Sequence, residues 1–325
     1  MKYLVHVDGN LPNLALMRLS TYFRSRGEEV RLVRGTGQRQ LWDPPGEVYA
    51  SSIFDFSGAR RRAIDAEWSA WGPVRWGGTG VRVESSLADL DAEVDWEAIA
   101  PDYSLYPGEE RSIGFTQRGC RLRCGFCVVP RKEGAARSVR TVPEIWRGEG
   151  NPKKLLLLDN DFFGQPEWRA RVEEIRIGRF SVCLSQGINI RMVNEESAAA
   201  LASIEYRDND FERRRLYTAW DNLGDEKVFR RGVELLERAG VPPRHLMVYM
   251  LVGYAPAETW ERIFHRFNAL VALGCRPYPM VFDGAARPDL KAFQRWVVMG
   301  LYRSCAWRDY RDARLVGVQR GEVSP

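Results

Sequence analysis

The spacing C-x3-C-x2-C, formed by Cys120, Cys124 and Cys127 within Gly-Cys-Arg-Leu-Arg-Cys-Gly-Phe-Cys, constrains this chain more than any other feature. Three thiolates on one short loop can hold three irons of a 4Fe-4S cluster and leave the fourth iron without a protein ligand. The same residues also allow a three-cysteine zinc site completed by a distant histidine, or three unconnected thiols. Zinc sites usually add a second C-x2-C pair or an H-x3-H partner, and the sequence has neither. The run Ile113-Gly114-Phe115-Thr116 reads as a strand leading straight into the loop.

At 325 residues the chain is long enough for one large barrel or two ordinary domains. The start, Met1-Lys2-Tyr3-Leu4-Val5-His6-Val7-Asp8, is too short and too polar for a signal peptide. No apolar run approaches a membrane helix, so no membrane association is expected. The remaining cysteines, Cys183, Cys275 and Cys305, stand apart, which argues against a disulfide framework and for a reducing cytoplasm. Much of the net charge of +5 comes from arginine, and Arg131, Lys132, Arg137 and Arg140 follow the cysteine loop closely. A basic mouth there suits a phosphorylated substrate or nucleic acid; a solvated arginine-rich loop is the plainer reading. Arg213, Arg214 and Arg215 follow Asp208, Asp210 and Glu212 and are locally balanced.

The first part of the chain alternates strand and helix. Strands are expected at 3–7, 29–33, 47–54 and 74–76, with a helix at 14–26 closed by Gly27. This predicts an open parallel sheet, a Rossmann-like domain over residues 1–84. The glycine pieces Gly35-Thr36-Gly37 and Gly77-Gly78-Thr79-Gly80 offer backbone amides to phosphate, although short glycine runs after strands are also ordinary turn chemistry. His6 sits alone inside the first strand and reads as a packed core residue. Residues 85–111, with Pro101, Pro107 and several aspartates, read as a linker.

With the aromatic Phe126 before its third cysteine, the loop resembles the motif that defines the radical S-adenosylmethionine (SAM) superfamily. The resemblance implies a 4Fe-4S cluster held by Cys120, Cys124 and Cys127, whose open iron binds the amino and carboxylate groups of SAM. It implies reductive cleavage of SAM to a 5′-deoxyadenosyl radical, a flavodoxin- or ferredoxin-like reductant, and attack on an unactivated carbon. It also implies a partial (β/α)6 barrel of TIM type at 112–285, followed by a helical extension at 286–325. The amino-terminal pattern, with Pro12-Asn13-Leu14-Ala15-Leu16-Met17, resembles the cobalamin-binding-type domain of one large subfamily. The Asp-x-His-x-x-Gly segment of many such domains is missing, so cobalamin is not the favoured cofactor.

A barrel of this type works at the carboxyl ends of its strands. The run 154–158 ends in Asp159, Asn160 and Asp161, where the family's second strand contacts the SAM amino group, often through a Gly-Gly-Glu segment that is absent here. The next strand, 180–185, opens into Gln186, Asn189 and Arg191, residue types that reach hydroxyls and pair with a carboxylate. Strand 216–220 ends in Asp221 and Asn222, candidates for ribose hydroxyls or substrate. The apolar end of 245–253, at Leu251, suits the adenine ring together with Phe126, and a sixth strand at 277–282 ends at Asp283. The segment 290–310 is amphipathic and is expected to close the domain. The radical SAM reading leaves substrate and hydrogen-atom donor open. It competes with a cobalamin-dependent radical SAM methyltransferase, and with a non-catalytic iron–sulfur or nucleic-acid-binding module.

Overall fold

The computed structural model describes residues 1–37, 39–40, 42–282 and 287–311. The chain is an α/β protein with parallel sheets, divided into two compact units. Met1–Arg111 and Cys127–Gly134 form one unit; Ser112–Phe126 and the chain from Ala135 onward form the other. Asp283, expected at a strand end, lies outside the described residues. Among the described residues no helix is long and apolar enough to cross a membrane.

The first unit is built on β1 (Lys2–His6), α1 (Leu14–Arg24), β2 (Val30–Arg34), β3 (Glu47–Ser51), α2 (Gly58–Trp68) and β4 (Arg75–Gly77), with the short α3 (Val129–Lys132). The four strands run parallel in the order β2-β1-β3-β4. As a central strand, β1 is covered on both faces, which is why it reads as an unbroken apolar run. Tyr3 and Val5 pack with Ile64 and Trp68 of α2, while Leu4 packs with Leu16, Leu19 and Phe23 of α1. The α1 helix starts where the Asn13 side chain accepts from the Leu16 N–H at 3.1 Å. It is followed by Gly27, whose φ of +76° is the left-handed conformation that favours glycine.

The stretch expected as a linker is instead part of this unit's core. Trp96 is buried against the α1 side of the sheet, and Leu87, Val94, Ile99 and Leu105 pack beside it. Polar contacts fasten the same stretch: Ser20 Oγ donates to Asp102 at 2.6 Å, and Arg18 pairs with Glu97 at 2.7 Å. Aspartates and prolines mark its turns, but its spaced apolar residues are what the exposed face of α1 needed.

The second unit contains β5 (Ser112–Gly114), the hairpin pair β6 (Gln117–Arg118) and β7 (Arg137–Ser138), α4 (Val142–Ile145), β8 (Lys154–Leu157), α5 (Trp168–Gly178), β9 (Ser181–Leu184), α6 (Glu195–Ser203), β10 (Glu205–Tyr206), β11 (Leu216–Ala219), α7 (Glu226–Arg238), β12 (Leu246–Val252), α8 (Trp260–Ala272), β13 (Arg276–Val281) and α9 (Pro288–Val298). Hydrogen bonding divides the larger strands into two parallel sheets, β10-β9-β8-β5 and β11-β12-β13, where a single six-stranded succession was expected. The division has a local cause. The unforeseen β10 pairs with the start of β9, while Ile188, just past its end, donates its N–H to Tyr217 O of β11 at 2.7 Å.

Strand β12 shows how this unit separates its two faces. Leu246, Val248, Met250 and Val252 are buried in the main core, whereas Met247, Tyr249 and Leu251 are half-exposed. The helices supply the other half of that core: Phe229, Val233 and Leu236 of α7, Ile263, Phe267 and Leu270 of α8, and Phe293, Trp296 and Val297 of α9 recur at helical spacing. The amphipathic carboxyl-terminal segment therefore packs as expected, as far as residue 311.

Candidate active site

The cysteine loop follows β6, and two carboxylates at the end of β8 shape it. Asp159 is 1% exposed. Its Oδ1 accepts the backbone N–H groups of Thr116 (2.8 Å) and Gln117 (3.1 Å), and its Oδ2 is hydrogen-bonded by the Thr116 hydroxyl. Burial pushes its carboxyl up to about 7, against the pull of those donors and of Arg118. Asp161 is equally buried and takes the Arg121 guanidinium on both oxygens, at 2.8 and 2.9 Å, plus the Arg121 N–H at 3.1 Å. Gln117 completes the frame: its Oε1 accepts from Asp161 N at 3.0 Å, and its Nε2 donates to the carbonyls of Arg118 and Gly119.

Asp159 and Asp161 were expected to meet a ligand through a carboxylate or a backbone carbonyl, and these contacts occupy the carboxylates. Both carboxylates are engaged in folding the loop that precedes and includes Cys120. Asn160, between them, is half-buried.

Cys120, Cys124 and Cys127 are each half-buried. Cys120 Sγ accepts from Leu122 N at 3.4 Å, and Cys124 Sγ accepts from Arg191 Nη2 at 3.6 Å. Hydrogen bonds to sulfur of this kind are one of the levers that tune iron–sulfur centres. Among the described residues no group of three His, Cys, Asp or Glu side chains is already gathered to hold a metal ion. The donor chemistry at Cys120 and Cys124 fits a cluster.

A cavity of about 370 Å3 opens beside the loop, within the second unit, at the carboxyl ends of β11 and β12. Six of the residues expected at the site line it: Cys124, Phe126, Arg191, Asp221, Asn222 and Leu251. Phe126 stands edge-to-face on Tyr254, with ring centroids 5.3 Å apart. Gly125 lies so close to this tyrosine that a β-carbon there would come within 2.8 Å of its hydroxyl oxygen. Arg191 joins Cys124 to Asp225, 3.2 Å away. Burial raises the Asp221 carboxyl above its ordinary range, opposed by the Leu251 N–H that it accepts at 2.9 Å and by the charge of Arg266. Asn222 turns its Oδ1 to cap Gly224 N at 3.0 Å.

Gln186 is exposed, and neither it nor Asn189 lines this cavity. Asn189 Nδ2 is nevertheless buried without a hydrogen-bond partner, an amide donor left over by the fold.

The sequence reading missed Arg266 and Glu258. Arg266, 1% exposed, donates to the carbonyls of Trp220 (2.9 Å), Asp221 (3.0 Å) and Leu251 (3.0 Å), and pairs with Glu258. Glu258 in turn accepts from Gly253 N at 2.6 Å. One cation thereby fixes the ends of β11 and β12 where they border the cavity. A signal was present: Arg266 occupies the apolar face of α8, between Ile263, Phe267 and Leu270, where a charge is costly unless paired.

No protein-family model matches the chain, and no curated protein or solved structure is significantly similar to it.

Proposed function

We propose that the chain is a radical SAM enzyme, with a 4Fe-4S cluster on Cys120, Cys124 and Cys127 and SAM in the cavity beside Cys124. One observation carries the reading: the C-x3-C-x2-C loop borders a cavity, at the ends of parallel strands, whose lining joins aromatic, carboxylate and guanidinium groups. When bound, cluster and SAM supply a 5′-deoxyadenosyl radical from an electron delivered by an external reductant. The chain's own part is to bind, orient and exclude water.

In this reading Arg191 pairs with the SAM carboxylate while holding the Cys124 sulfur. Asp221 and Asn222 take ribose hydroxyls, and Phe126 and Leu251 enclose the adenine. Asp161 with Arg121 keeps the loop in place, and Arg266 keeps the rim of the cavity rigid. Neither Asp159 nor Asp161 contacts SAM.

The test is anaerobic reconstitution with iron and sulfide, followed by SAM and dithionite, with 5′-deoxyadenosine as the readout. The reading predicts a brown protein that forms 5′-deoxyadenosine, and loss of both colour and product in Cys124→Ala. A stable cluster that leaves SAM intact, or cleavage that persists in Cys124→Ala, overturns it.

A further inference from the structure

A second cavity, of about 420 Å3, lies in the amino-terminal unit at the carboxyl ends of β1 and β2. Its lining includes His6, Asp8, Asn10, Arg34, Thr36 and Arg60. His6 is 3% exposed, and Tyr106 is hydrogen-bonded to its ring. The Asn13 N–H donates to the Tyr106 oxygen at 3.3 Å, and the same hydroxyl lies within hydrogen-bond distance of His6 Nδ1, at 3.1 Å. Where the phenol donates to Nδ1, the neutral ring carries its proton on Nε2. That Nε2 is buried and has no hydrogen-bond partner. Burial, and after it the charge of Arg34, lowers the imidazole pKa, against a weaker opposing effect of the Asp8 carbonyl and carboxylate. The ring is therefore neutral at neutral pH.

The surrounding charge favours an anion. Arg34 and Arg60 contribute two exposed guanidiniums, and Arg34 lies over the Tyr106 ring, 5.3 Å from its centroid. The carboxylate in the lining, Asp8, is already occupied: Ser52 Oγ (2.8 Å), Ile53 N (2.7 Å) and Phe54 N (3.4 Å) donate to it. Gly9 and Gly35 turn the two strand ends in the left-handed conformation, at φ of +89° and +71°. An unsatisfied buried donor is expected to cost stability unless a ligand or water meets it.

We infer that this cavity binds the phosphate group of a small ligand, with Arg34 and Arg60 as charge partners and His6 Nε2–H as the buried donor. Donors from β1, β2 and α2 suit an oxyanion with three or more oxygens better than a carboxylate with two. The site is separate from the proposed SAM cavity, and its occupancy does not depend on a cluster.

The experiment is calorimetric titration of the full chain with inorganic pyrophosphate, alongside acetate and a single-stranded oligonucleotide, with nitrogen-15 NMR of the His6 ring. Pyrophosphate is expected to saturate one site and to shift the Nε2 resonance. Arg34→Gln and the surface variant Arg60→Gln should each weaken it about tenfold. Four results overturn the inference: no saturable binding; affinity unchanged in both variants; acetate bound as tightly as pyrophosphate; or an oligonucleotide bound more tightly through the same arginines.

Discussion

Replacing Arg266 by methionine tests whether one buried cation holds the strand ends around the proposed SAM cavity. Methionine keeps the bulk of the side chain, so the loss is mainly polar. The variant strands Glu258, whose side chain is only 10% exposed, and breaking a buried pair from one side costs about 3–5 kcal/mol. The carbonyls of Trp220, Asp221 and Leu251 also lose a charged donor, each worth about 1–3 kcal/mol alone. These penalties overlap, because they act on one shared network, so about 3–5 kcal/mol is expected in total. That is a large share of a stability of about 5–15 kcal/mol. Glu258→Gln, which leaves Arg266 on its three carbonyls, should cost about 1–2 kcal/mol. Urea unfolding followed by circular dichroism measures all three variants, the double variant included. The double variant should fall short of the summed single losses by about 1 kcal/mol or more. A loss below about 1 kcal/mol for Arg266→Met, or strict additivity in the double variant, would refute the shared network.

Two further predictions concern the end of β8. The Asp159 carboxyl is raised to about 7 in the folded chain from an unfolded value near 3.9, so the folded state binds the extra proton. Stability from this group is full below about pH 4 and is lost as pH rises toward 7, by at most about 4 kcal/mol; urea midpoints of Asp159→Asn should gain on the native chain across that window, and parallel curves would sink the idea. Gly164→Ala would place a β-carbon against the Asp161 carboxylate, 2.7 Å from its Cγ and 3.0 Å from Arg121 Nε. The variant should lose about 1–3 kcal/mol in the same assay, whereas an unchanged midpoint would show that the Asp161–Arg121 pair yields without cost.

What was legible in the sequence is what depends on neighbours along the chain. Apolar runs such as 154–158 and 246–252 became strands because alternation and burial act within a few residues. The same holds for the amino-terminal alternation of strands and helices, and for the termination of α1 near Gly27. The spacing of Cys120, Cys124 and Cys127 is equally local, and with it the proposed chemistry. Arg191, Asp221 and Asn222 stand out because polar residues follow apolar runs at strand ends, whereas Phe126 and Leu251 come from the family resemblance; all five line the cavity.

Tertiary structure alone decided which of the polar residues are spent. Asp159 and Asp161 look as available as Asp221 in the sequence, yet their partners Thr116, Gln117 and Arg121 lie some forty residues away, at separations of 43, 42 and 40. No periodicity encodes such a pairing. Nor does any encode the burial of 85–111 against α1, or the use of Arg266 by the carbonyls of β11 and β12. His6 shows both sides: the sequence placed it in a strand interior, and only the folded chain set Tyr106 against Nδ1 and left Nε2 buried with no hydrogen-bond partner. Local order follows from steric and hydrophobic preferences that each residue carries with it, whereas a hydrogen bond needs two groups that only the completed fold brings together.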